Sequence, residues 1–140
     1  MKLKIVTYPS AIIAIFTSLF GGWTGATSTL LIFIIIDYIT GLLPPLLYQN
    51  SPKSKNGGLN SEVCFKGIVK KITIFLYIIV AHRLDLILNI SYLKDFVTIS
   101  FIINELISIL ENGKLLNLPM PKILYKAIDL LNEKIGGNEK

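Results

Sequence analysis

Asp37 closes a run of isoleucines in Ile36-Asp37-Tyr38-Ile39-Thr40-Gly41, and Glu105 stands in the apolar stretch that ends Ser108-Ile109-Leu110-Glu111-Asn112. A carboxylate placed in hydrocarbon costs roughly 2.5 to 3.5 kcal/mol even on lenient insertion scales, so it persists only where it is paired, wetted or used. Asp37 lies near the middle of its run, too far from either end to reach water along its own side chain. Asp37, Thr40 and Gly41 fall within one helical turn on a common flank, which suits a polar, close-packing face for self-association or a water-filled lumen. One internal hydrogen bond accounts for the same residues equally well. Glu105 poses the same question.

His82 and Asp85 are three residues apart and share a helix face, a spacing that fits an interhelical bond or a proton relay. Arg83 points elsewhere and reads as a pairing or snorkelling residue. The rest of the inventory argues against catalysis. There is one His and one Cys, and no nucleophile elbow, phosphate loop or metal-ligand spacing is present. Cys64 has no second thiol to pair with and reads as structural. No catalytic, cofactor or metal residue is expected.

The elements that hold these residues are set by hydropathy. Of 140 residues, 52% are hydrophobic and only 16% charged, where an average soluble domain has about a quarter charged. The composition predicts one small all-α membrane protein of three to four transmembrane helices followed by a C-terminal amphipathic helix. The spans are expected over about 5–23, 28–48, 68–88 and 96–110, within a transmembrane domain 1–112, and the tail 113–140 is expected to be cytoplasmic. Gly21, Gly22 and Gly25 mark a tight hinge between the first two spans, and Gly21 and Gly25 read as turn residues more readily than as a helix-packing motif. Pro44-Pro45 removes two consecutive amide donors and should kink or end the second span. The last apolar run is fifteen residues, short for a full crossing.

The net charge of +5 comes from 14 Lys and Arg against 9 acids. In such a chain it reports orientation before it reports nucleic-acid binding, and no basic face with interleaved aromatics appears. Lys2 and Lys4, then Lys53, Lys55, Lys66, Lys70 and Lys71, then the tail lysines form three basic regions, whereas Lys94 is alone in the intervening turns. Four spans put all three on one side, with both termini cytoplasmic. Past Leu118-Pro119-Met120-Pro121, Ile123, Leu124, Ala127, Ile128, Leu130, Leu131 and Ile135 recur at helical spacing. That helix lies on the membrane surface or packs on a neighbour.

Taken together, Ile36 to Gly41, the Lys- and Ser-rich loop with Gly67 and Lys70-Lys71, Leu84-Asp85, Asn104 to Asn112 and Leu118 to Pro121 resemble the toxin-secretion and phage-lysis holins of low-GC Gram-positive bacteria and their phages. Order and spacing match along roughly 100 residues. Pro44-Pro45 departs from the pattern, since the family usually has small helix formers there. The resemblance implies a non-enzymatic protein of the bacterial cytoplasmic membrane that binds copies of itself and the lipid bilayer. It implies lesions through which an endolysin or toxin escapes without direct binding, and no nucleic-acid partner. On that reading Asp37, Thr40, Gly41, His82, Asp85, Glu105, Glu111 and Asn112 are candidates for oligomerisation or pore lining. Lys53, Lys55, Lys66, Lys70 and Lys71 set topology. A proton-coupled exporter using Asp37 or Glu105, and a membrane anchor acting through its tail, are the rival classes.

Overall fold

The computed structural model describes residues 2–48, 55 and 58–136, with side chains from Pro9 onward. Among these there are five helices and no strand: α1 (Lys2–Leu19), α2 (Gly25–Leu47), α3 (Ser61–Leu88), α4 (Leu93–Leu115) and α5 (Lys122–Gly136). Lys53 lies outside the described residues.

Local chemistry sets each boundary. Gly21 and Gly22 adopt φ of 65° and 92°, a region that side chains resist, and so end α1 and turn the chain toward α2. Thr24 caps α2 by accepting the Thr27 amide at 3.2 Å. Pro44 and Pro45 forgo their amide bonds to the preceding turn, yet α2 runs on for two residues beyond them. The helix closes at Leu47, and the Tyr48 amide donates to the Pro44 carbonyl at 2.9 Å.

α3 begins earlier than hydropathy implied. The Asn60 side chain accepts from the amides of Glu62 (2.8 Å) and Val63 (3.4 Å), and Lys66 pairs with Glu62 one turn on. Lys66, Lys70 and Lys71, expected at the edge of a basic loop, therefore ride on the helix itself. α4 is also longer than the fifteen apolar residues suggested. Its 23 residues extend about 35 Å at ~1.5 Å per residue. Asp95, Glu105 and Glu111 interrupt its hydropathy without interrupting its helix. At its end Asn117 turns left-handed (φ 59°), and the Leu118 amide closes back on the Gly113 carbonyl at 3.0 Å.

α4 is the hub of the bundle, packing against α2, α3 and α5. Contacts at the two ends fix its direction. Lys94 at the start of α4 reaches the Gly22 carbonyl ahead of α2, while Asn112 near its end meets Asp37 and Thr40. α2 and α4 thus run parallel, and α3 runs opposite to both. Phe20, Leu30, Ile34, Ile78 and Ile102 form the buried core, and Leu131 of α5 packs against it. The amphipathic helix therefore folds back on α4 of its own chain.

Outside that core the polarity is inverted relative to a soluble bundle. Ile12, Ile13, Ile32, Ile39, Ile72, Val80 and Ile87 are all exposed, while Asp37, Asp85, Lys94, Glu105 and Asn112 are buried. Among the described residues α2 is the one helix long and apolar enough to cross a membrane by length and composition, and α1 contributes the shorter apolar stretch Pro9–Leu19.

Candidate functional site: a three-helix charged junction

Each of the three central helices delivers one charge to the same point. Lys71 of α3 donates to Asp37 Oδ2 of α2 at 2.7 Å and to Glu105 Oε2 of α4 at 2.5 Å. The two acids are almost fully buried, and the lysine side chain is 16% exposed. Asn112, one helical turn and more beyond Glu105, completes the junction. Its amide donates to Asp37 Oδ1 at 2.9 Å, to the Asp37 carbonyl at 3.2 Å and to Thr40 Oγ1 at 3.1 Å. The Thr40 hydroxyl donates in turn to the Ile36 carbonyl at 2.8 Å.

Gly41 lies against this junction. A β-carbon there would stand 3.4 Å from the Asn112 amide nitrogen, an ordinary contact distance, so Asn112 packs directly on α2 at this position. Beside the junction lies a small cavity of about 80 Å³, lined by Asp37, Gly41, Cys64, Gly67 and Lys71 among others. It opens toward the α2–α3 connection. Cys64 is partly exposed at its wall.

The sequence candidates divide between two ends of the bundle. Asp37, Thr40, Gly41, Glu105 and Asn112 converge on Lys71. Asp85 and His82 lie at the opposite end and do not bond to each other. The Asp85 carboxylate accepts the backbone amides of Leu93 and Lys94, both at 3.0 Å, and so caps α4 from the last turns of α3. The His82 ring sits against Gly21, where a β-carbon would overlap it. Glu111, Arg83, Lys55, Lys66 and Lys70 are exposed. The hydrogen bond and charge of Lys66 hold the exposed Glu62 below the usual carboxylate range.

Two participants were missed from sequence. Lys71 was read as a topology marker, although its place inside Ile68-Val69-Lys70-Lys71-Ile72-Thr73-Ile74 set it among apolar neighbours like Asp37. Lys94 was read as a lone turn charge. It is buried, with its ammonium 3.2 Å from the Gly22 carbonyl. Among the described residues no group of three or more His, Cys, Asp or Glu is placed to hold a metal ion.

A helical bundle that exposes many large apolar side chains and closes buried charges on one another has a make-up that an apolar surround favours. The chain belongs to the bacteriophage holin family, which it matches over residues 14–133. It is similar to an uncharacterized protein of Listeria monocytogenes, 38% identical over 128 residues that span 91% of this chain and 86% of that one. An uncharacterized protein of Halalkalibacterium halodurans is 34% identical over 134 residues, 91% of this chain and 93% of the other. A protein of Bacillus phage phi105 named "Probable holin" is 31% identical over 103 residues, 73% of this chain and 70% of that one. No solved structure matches the chain.

Proposed function

We propose that this protein is a holin-like pore former. It accumulates in the bacterial cytoplasmic membrane, assembles with copies of itself, and opens lesions that release an endolysin or toxin without binding it. Membership of the holin family is the observation that carries this reading. The inverted polarity of the bundle supports it physically: the exposed apolar side chains of α1, α2 and α3 are stable in lipid and costly in water.

On this reading the chain crosses the membrane four times, by α1 to α4, with both termini cytoplasmic. The parallel course of α2 and α4 and the opposed course of α3 support that arrangement. The Lys-rich α2–α3 connection and Lys114 in the last turn of α4 then fall at one end of the bundle, in keeping with the positive-inside tendency. α4 enters the bilayer despite its acids because Glu105 is neutralised against Lys71 and the helix is sheathed by α2, α3 and α5. No catalytic group is needed.

Tightly controlled expression in a bacterium holding a large cytoplasmic reporter enzyme tests the reading. Abrupt loss of viability is expected, with reporter released only when a muralytic enzyme is co-expressed. Continued growth with an intact barrier overturns it.

A further inference from the structure

α4 is packed against α2, α3 and α5 of its own chain, and the face it leaves open carries a polar stripe beside the exposed Ile107. Ser100, Asn104, Ser108 and Glu111 follow one another at three- and four-residue spacing and so share a stripe. Ser100, Asn104 and Glu111 are exposed along it. The stripe borders a groove of about 450 Å³ between α3 and α4, where Val80, Ala81, Leu84, Val97 and Phe101 supply the walls. Tyr77 stacks on Phe101 along it, with ring centroids 6.2 Å apart.

Resting on the pore-forming reading above, we infer that this face of α4 is where a second copy of the chain docks, with Asn104 at the centre of the contact. The Asn104 side chain makes no hydrogen bond to any described residue, and at the middle of a membrane-crossing α4 lipid offers it neither donor nor acceptor. A carboxamide carries both, so two Asn104 side chains related by a two-fold axis satisfy each other. The partner's orientation is fixed as well, because copies inserted with the same topology present the same stripe at the same depth. At the membrane edge the two copies bring Glu111 to the same depth, and Lys114, one turn on and 5.6 Å from the Tyr125 ring of its own chain, lies near enough to offset their like charge. The intrachain junction at Lys71 already engages both carboxylate oxygens of Asp37 and the amide nitrogen of Asn112, and both residues are buried. Self-association therefore uses the stripe that the fold leaves open.

Disulfide trapping in whole membranes tests this. Single cysteines replace Ser100, Asn104 or Ser108 in a C64S background, and Ile32→Cys, on the exposed far side of α2, serves as the control. Oxidation is expected to give covalent dimers from positions 100, 104 and 108 and none from 32. Asn104→Leu, combined with Ser108→Cys, is expected to weaken dimer capture by about threefold to tenfold, whereas Asn104→Gln retains it. Dimers from Ile32→Cys alone, or no capture at any stripe position, overturn the inference. Viability after induction of the unaltered chain is scored separately. Killing without stripe capture removes the docking face and leaves the pore reading, and stripe capture without killing does the reverse.

Discussion

The Asn112 side chain holds Asp37 at two points, donating to its carboxylate at 2.9 Å and to its backbone carbonyl at 3.2 Å. The second bond reaches a carbonyl on α2 that also accepts from Thr40. Asn112 thus pins the helix as well as the side chain. Asn112→Leu is expected to cost about 1 to 3 kcal/mol, the usual range when buried polar groups lose their partner. Asn112→Asp should be worse, because it sets a second carboxylate against the first. The midpoint of unfolding in a graded denaturing detergent measures both.

Lys71→Met removes the one cation between two buried acids. Breaking a buried ion pair on one side typically costs about 3 to 5 kcal/mol, and here two partners are orphaned at once. The variant should accumulate poorly in membranes. Adding Asp37→Asn and Glu105→Gln should restore much of the level, since a neutral junction leaves no charge uncompensated. If the triple variant accumulates no better than Lys71→Met, the ion pairs are not what holds the three helices.

Asp85 caps α4, so Asp85→Ala is expected to cost about 0.5 to 2 kcal/mol, with Asp85→Asn milder because one acceptor survives. Amide exchange at Leu93 and Lys94 should rise in the alanine variant while exchange near Lys71 stays the same. Equal loosening at both ends would show that Asp85 supports the whole bundle.

Gly21→Ala meets two obstacles: a left-handed backbone and the His82 ring. It is expected to destabilise by more than Gly22→Ala, whose added β-carbon has open space around it. Combining Gly21→Ala with His82→Ala removes the collision but keeps the backbone strain, so partial recovery in detergent-unfolding midpoint is the expected result.

The Glu62–Lys66 pair provides a contrast. Its carboxyl is held below the ordinary range, so whatever it adds is present above that range and is lost as pH falls through the lowered value. Both side chains are about two-thirds exposed or more, and solvent screens them. Glu62→Gln should leave the unfolding midpoint unchanged between neutral and mildly acidic pH.

Particular residues show where sequence was informative. Asp37, Thr40, Gly41, Glu105 and Asn112 stood out because polar groups in apolar runs must find partners, and all five meet at one place. Lys71 did not, because a lysine beside a hydrophilic loop carries the same signature whether it faces lipid headgroups or two carboxylates. Telling these apart requires knowing that α2 and α4 run parallel, which no local pattern encodes. The ends of α3 and α4 were misjudged for a related reason. Hydropathy reports where a helix is apolar, whereas Asn60, Asp85 and Asn117 determine where it starts and stops. The backfolding of α5 depends on the turn after Gly113, where Met120 lies against the glycine, and amphipathic spacing alone did not reveal which surface it covers.

The junction also imposes an order on biosynthesis. Asp37 is made 34 residues before Lys71 and 75 before Asn112. At about 5 to 20 residues per second, the ribosome needs on the order of 4 to 15 s to deliver the last of these partners. Lys71 answers the acid after 34 residues, but the pair then waits for α4 to bring Glu105 and the Asn112 carboxamide. A chain translated through Asn112 is thus the first product in which the junction is whole.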